Sequence, residues 1–96
     1  MEKLNVVKQG DFVLSKAGRD VGKYFLIVSV QDEFALIVDG KVRKVNSPKK
    51  KKLKHLQKIF VEGQPWLAIQ IQSGKPVANE KVSRAVKSAT QKIQED

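Results

Sequence analysis

Positive charge is concentrated in one short segment of this 96-residue chain. Residues 41–58 hold nine basic side chains and no acidic one, whereas the other 78 residues hold ten basic and ten acidic residues. The whole net charge of +9 therefore comes from this segment. A field focused in this way attracts a polyanion, while the same charge spread evenly would favour only solubility.

A run of four lysines, Lys49–Lys52, is the densest part of this segment. Such runs are commonly solvated loops, but this one has no acidic partner and lies between strand-like sequences. We therefore expect it to contact nucleic acid through counterion release, with little reading of bases. A nuclear-localisation signal is a less favoured alternative. The expected contact residues of the segment are Arg43, Lys44, Lys49, Lys50, Lys51, Lys52, Lys54 and His55.

Residues suited to other chemistry are sparse. His55 is the only histidine, and no nucleophile or acid pattern accompanies it, so we predict no enzymatic activity. It either packs at the end of a strand or stacks on RNA. The absence of cysteine excludes a disulfide and a cysteine zinc site, and no other metal spacing or nucleotide-binding glycine pattern is present. We therefore predict no metal and no cofactor.

Short apolar runs separated by turn residues predict a small sheet. Asp39-Gly40 is a strong hairpin signal, and Pro48 would end the strand that follows it. The lysine run is then expected to be a loop. Five strands with tight links indicate a small β-barrel or a strongly bent sheet. The predicted strands are 12–15, 24–30, 34–39, 41–45 and 53–56.

A loop with two glycines is predicted at 16–23, between the first two strands. Gly18 and Gly22 indicate positive φ or a close approach of the backbone. Such a loop exposes N–H groups to a phosphate, while Lys16, Arg19 and Lys23 supply charge. Arg19 is the best candidate for a bidentate or stacked contact. Alternatively, the turn alone requires both glycines.

Two helices are predicted after residue 58. Leu67, Ile69 and Ile71 alternate as in a strand, but Pro65 and Gly74 suit the start and end of a short helix, which we favour. A second helix is predicted at 80–93. Asn79 is expected to cap it, and its narrow apolar stripe contains Val82, Val86, Ala89 and Ile93.

The aromatic and basic residues of this region have two interpretations each. Trp66 is expected to cover the barrel, with a partner surface as the alternative. The basic side of the second helix either is simply solvated or lies on RNA or a protein. The segment 41–58 contains no aromatic residue, which favours recognition of folded or double-stranded RNA over single strands.

The sequence from residue 10 to 28, GDFVLSKAGRDVGKYFLIV, resembles the KOW motif of ribosomal proteins and transcription elongation factors. DGKVRKVNSPKKKKLKHL, residues 39–56, resembles the rest of the KOW barrel in large-subunit ribosomal proteins of the archaeal and eukaryotic type. It is similar also to their short bacterial relatives, the KOW-domain RNA-binding proteins. The resemblance covers residues 6–57, with a looser similarity at 74–86.

This resemblance implies a mainly β, five-stranded SH3-like (KOW) barrel that binds structured RNA. In the family, the loop that corresponds to residues 16–23 approaches the RNA. Val21 departs from the family pattern, because many relatives have a basic residue there. One phosphate contact is therefore expected to be missing from this loop.

Together these observations predict a KOW SH3-like barrel at 6–58 and a helical C-terminal extension at 59–96. We expect a cytoplasmic, monomeric, non-enzymatic protein that binds structured RNA, with ribosomal RNA as the favoured ligand, as a ribosomal protein or a ribosome-associated factor. We expect no signal peptide, membrane span or membrane binding. The alternative is a protein-interaction module that binds RNA polymerase or another ribosome or transcription factor.

Overall fold

The computed structural model describes residues 6–94, which form an antiparallel sheet of five strands followed by two helices. The strand order is β4-β3-β2-β1-β5. The strands at the two edges, β4 and β5, are not paired with each other, so the sheet is not closed. A sheet of five strands and the C-terminal helices are confirmed, although two of the predicted strands lie elsewhere in the chain. The elements are β1 (Phe12–Ser15), β2 (Tyr24–Gln31), β3 (Phe34–Val38), β4 (Lys49–Lys52), β5 (Leu56–Lys58), α1 (Pro65–Gln72) and α2 (Asn79–Gln94).

The sheet is buried on both faces, which explains the continuous apolar runs of its central strands. In β2, Phe25 and Ile27 belong to one cluster, which we call the inner core, together with Leu56 of β5. Leu26 and Val28 point the other way, because successive side chains of a strand alternate. They form the helix-facing core, which also contains Phe12, Val38, Ile59, Leu67, Val82 and Ala89.

The sheet is strongly curled although it is open. In the strand order β4 lies three spacings from β1, about 14 Å in a flat sheet. Nevertheless, Nζ of Lys51 in β4 donates a hydrogen bond of 2.9 Å to the carbonyl of Ala17, just after β1. The register of β2 against β3 shifts between Ile27 and Ser29. A bulge of this kind bends a strand and increases its twist, which contributes to the curl.

The predicted strand at 41–45 is wrong, because Asp39-Gly40 does not form a hairpin. The carboxylate of Asp39 accepts hydrogen bonds from the backbone N–H groups of Lys41 (2.9 Å) and Arg43 (2.8 Å). These bonds fold the chain into an irregular loop that continues to Pro48. Gly40, at φ 80°, lies so close to the start of α2 that a Cβ would overlap the backbone of Asn79.

The lysine run is the strand β4, not the predicted loop. It pairs with β3, with Ala35 opposite Lys51 and Ile37 opposite Lys49. Lysines on an edge strand hinder edge-to-edge association with other sheets, so they suit this position. The predicted strand at 53–56 is also displaced, since Leu53–His55 form a 3₁₀ turn and β5 begins at Leu56.

Both predicted helices are confirmed. α1 has Pro65 in its first turn, and Gly74 follows its end. In the stripe of α2, Val82 and Ala89 are buried, whereas Ile93 is exposed. Both helices contribute to the helix-facing core. Residues 95 and 96 of the predicted extension lie outside the described residues.

Two expectations about individual side chains in this region are wrong. Asn79 does not cap α2 with its side chain, because its Oδ1 accepts a hydrogen bond from the backbone N–H of Val45 at 2.8 Å. Through this hydrogen bond, the side chain of Asn79 connects the loop after β3 to α2. Trp66 does not cover the sheet, since 69% of it is exposed.

Candidate nucleic-acid interface

The loop 16–23 has the backbone geometry that its sequence predicts. It contains a 3₁₀ turn at Gly18–Asp20, and φ is positive at both Gly18 (81°) and Gly22 (86°). Backbone hydrogen bonds close its base: Ser15 donates to Lys23 (2.9 Å), and Gly22 donates to Ser15 (2.8 Å). The loop is therefore a defined structure. Its exposed cationic residues are Lys16, Arg19 and Lys23.

The side chain of Lys51 points from β4 towards this loop and supports it, instead of facing solvent. It is 8% exposed, and its ammonium group donates to the carbonyl of Ala17. A Cβ at Gly18 would lie 2.9 Å from the same ammonium nitrogen. Lys51 is thus enclosed by the loop that it holds, and the prediction of an RNA contact at Lys51 does not fit this position.

Arg43 forms a second support. Its Nη2 lies 2.9 Å from Oδ2 of Asp20, a loop residue that is 2% exposed. Breaking a buried pair by removing one partner leaves an uncompensated charge, which is strongly destabilising. Arg43 was predicted to contact nucleic acid, but its guanidinium is committed to the loop. This ion pair also fixes the loop after β3, and hence the neighbouring Lys44, beside the loop 16–23.

The two basic segments of the sequence meet in the folded chain. Besides the contacts of Lys51 and Arg43, the backbone N–H of Lys16 donates to the carbonyl of His55 at 2.8 Å. The imidazole of His55 is half-buried. We call the combined area, residues 16–23, 44 and 49–55, the basic surface. Its exposed cations are Lys16, Arg19, Lys23, Lys44, Lys49, Lys50, Lys52 and Lys54.

These eight side chains are available to an external anion. No carboxylate of residues 6–94 lies within 4.0 Å of any of them, whereas Lys8 and Lys58 are paired with Asp11. Lys50 lies over the ring of Phe34, with its Nζ 4.4 Å from the ring centre. Because side chains alternate along β4, Lys50 and Lys52 project from the opposite face to Lys49. The cations therefore wrap around the edge of the sheet.

The sequence did not reveal that Lys51 supports the loop while the other lysines of the run are exposed. It also did not reveal the exposure of two aromatic residues. A run of four residues can form a strand, which must turn alternate side chains inward, but four identical residues carry no alternation that indicates one. Phe60 (81% exposed) and Trp66 (69%) are the most exposed aromatic residues of the described chain. Their sequence context alone does not distinguish them from core residues.

The described residues contain neither a metal-binding cluster nor a membrane-spanning helix. Among residues 6–94 there is no group of three or more His, Cys, Asp or Glu side chains that could hold a metal ion. No helix in this part of the chain has the length and apolar character needed to cross a membrane. Neither a protein-family model nor a curated protein matches this chain.

Proposed function

We propose that this chain is a non-enzymatic RNA-binding protein that uses the basic surface to hold folded RNA. The observation that carries the proposal is the hydrogen bond from Lys51 to Ala17. It brings the glycine-containing loop against the lysine strand, so that cations from two distant parts of the sequence form one surface. The resemblance to the KOW family suggests ribosomal RNA as the ligand and an SH3-like barrel as the fold.

The support for an SH3-like fold comes from the strand order and the closeness of the two sheet edges. The chain passes from β4 to β5 through the single 3₁₀ turn at Leu53–His55, crossing from one edge of the curled sheet to the other. The sheet remains open between these edges. An SH3-like barrel is therefore part of the proposal, together with the KOW membership that the sequence resemblance implies.

Binding would depend mainly on phosphate neutralisation by the exposed cations, which releases counterions from the RNA. The loop 16–23 adds backbone N–H groups near Gly18, whereas those of Val21, Gly22 and Lys23 already donate to carbonyls within the loop and at its base. Arg19, at the exposed 3₁₀ turn, can form a forked contact with a phosphate or stack on a base. Because Lys51 and Arg43 already fix the loop, little ordering entropy is lost on binding.

The proposal is tested by measuring the affinity of the full chain for a fluorescein-labelled ribosomal RNA hairpin through fluorescence anisotropy. Arg19→Ala should weaken binding by about tenfold, since a charge-assisted hydrogen bond contributes about 1.5 kcal/mol or more. Its melting temperature should stay close to that of the wild type, because the Arg19 side chain is exposed.

The matched control is Arg84→Ala, which removes the same exposed charge from α2. It should cost much less affinity than Arg19→Ala. Equal losses for the two variants would show that RNA is attracted to net charge and not to the basic surface. If no RNA is retained at low salt, RNA binding is wrong and the protein-interaction module becomes the better hypothesis.

A further inference from the structure

Trp66 is a large apolar side chain that the fold leaves in solvent. It occupies the first turn of α1, and 69% of its surface is exposed. Its neighbour Leu67 is buried in the helix-facing core, so the helix is anchored while the indole projects outward. An exposed indole gains little from folding, and its large flat face with one polar N–H is suited to an external contact.

The indole borders an open depression of about 250 Å³ between the two helices. Leu67 and Ala85 supply an apolar part of its lining, and Gln64 and Gln70 add two amides. Among residues 6–94, Lys81 is the one charged residue that lines it. This combination offers an aromatic face, amide groups that can bond the edge of a base, and a cation for a phosphate.

The depression lies within reach of RNA on the basic surface. The backbone N–H of Gln64 donates to the carbonyl of Gly10 at 2.7 Å, and β1, which begins two residues after Gly10, ends at Ser15, at the base of the loop 16–23. Five residues in extended conformation span about 16 Å. Phe60 is also on the connection that follows β5, is 81% exposed, and lies beneath Nζ of Lys58 at 5.6 Å.

We propose that Trp66 is a stacking platform for an unpaired nucleobase, which belongs to a single-stranded segment flanking the folded RNA on the basic surface. This inference rests on the proposed function and adds a second element to it. The positive charge of the protein attracts the RNA phosphates, Lys81 neutralises one phosphate beside the depression, and the base lies on the indole. A base stack is tolerant of sequence, because every base has a π face.

The test uses the full chain and three RNA probes with the same hairpin: one without a tail, one with six uridines, and one with six abasic nucleotides. The two tails carry the same phosphates, so they differ only in their bases. Trp66 is the only tryptophan, so its fluorescence reports directly on the depression. The uridine tail should quench this emission and increase affinity, while the abasic tail should leave the emission unchanged.

Substitution of Trp66 then separates stacking from charge. Trp66→Ala should lower affinity for the uridine-tailed hairpin by roughly 5- to 140-fold per stacked base, and leave the tailless hairpin unaffected. Trp66→Phe should retain most of the affinity, because phenylalanine also offers a π face. Circular dichroism should show the same fold in both variants.

Different results would contradict base stacking on Trp66 and RNA binding by the basic surface. If all three hairpins bind with equal affinity, or if Trp66→Ala leaves the uridine-tailed hairpin unaffected, stacking is wrong while RNA binding at the basic surface stands. The indole would then be available to a protein partner. If no hairpin binds at low salt, both proposals fail.

Discussion

At the scale of single residues, neighbouring lysines of the same run have different physical roles. Lys50 is exposed and lies over an aromatic ring, whereas Lys51 is 8% exposed and bonded to the loop carbonyl of Ala17. Composition alone treats the two as equivalent. The alternation of a strand makes one of them available to a ligand and turns the other into part of the fold.

We expect Lys51→Met to lower the free energy of unfolding by about 1.5–3 kcal/mol, because a buried charge-assisted hydrogen bond is lost and the carbonyl of Ala17 keeps only the hydroxyl of Ser15 as a donor, at 3.2 Å. Lys50→Met should change it by no more than ~1 kcal/mol, the value of an exposed cation–π contact. Urea denaturation of the two variants measures the difference. Equal effects would contradict a supporting role for Lys51.

Val21 offers a test by gain of function. It is 58% exposed at φ −54° and ψ 134°, a backbone conformation that lysine also adopts. Val21→Lys should therefore leave stability unchanged and add one phosphate contact at the loop. Affinity for a ribosomal RNA hairpin should rise about fivefold at 0.1 M salt, taking ~0.7 in the salt exponent per contact. Unchanged affinity would place the tip of the loop away from the RNA.

At the scale of elements, the local sequence was sufficient to predict a strand or helix where the tertiary contacts favour the same structure. The strands β1, β2 and β3 are apolar runs bounded by turn residues, and Pro65 and Gly74 bracket α1. The secondary structure predicted from the sequence was wrong between residues 39 and 56. There Asp39 bonds the backbone of its own loop, and β4 is formed by lysines whose strand conformation depends on pairing with β3. Both effects are tertiary or side-chain-specific, so periodicity does not reveal them.

Gly40 provides the test at this scale. A Cβ at Gly40 would overlap the backbone at the start of α2, whereas at Gly74 it would meet nothing within 4 Å. Both have φ near 80°, so Gly74→Ala measures the conformational strain alone, about 1–2 kcal/mol. Gly40→Ala should lower the free energy of unfolding by a further 1–3 kcal/mol or so, through overpacking. Equal losses in urea denaturation would contradict the close contact between this loop and α2.

At the scale of the whole molecule, the curled sheet converts separate basic segments into one surface. The sequence located the charge and the glycine loop correctly, but it did not show whether they meet. That depends on the contacts of Ala17 with Lys51, Asp20 with Arg43, and Lys16 with His55, which join parts of the chain 23 to 39 residues apart. Eleven of the thirteen predicted contact residues remain candidates, since Lys51 and Arg43 instead hold the loop.

The most direct test of the central claim, RNA binding by the basic surface, is the salt dependence of affinity for a ribosomal RNA hairpin. Binding by six to eight of the exposed cations predicts a log–log slope of roughly −4 to −6. Replacing Lys49, Lys50 and Lys52 by serine, with Lys51 kept, should make the slope shallower by about 2. The matched control replaces Lys75, Lys87 and Lys92, three exposed lysines outside this surface, and should leave the slope nearly unchanged. A flat salt dependence in the wild type, or equal changes in the two triple variants, would contradict the account.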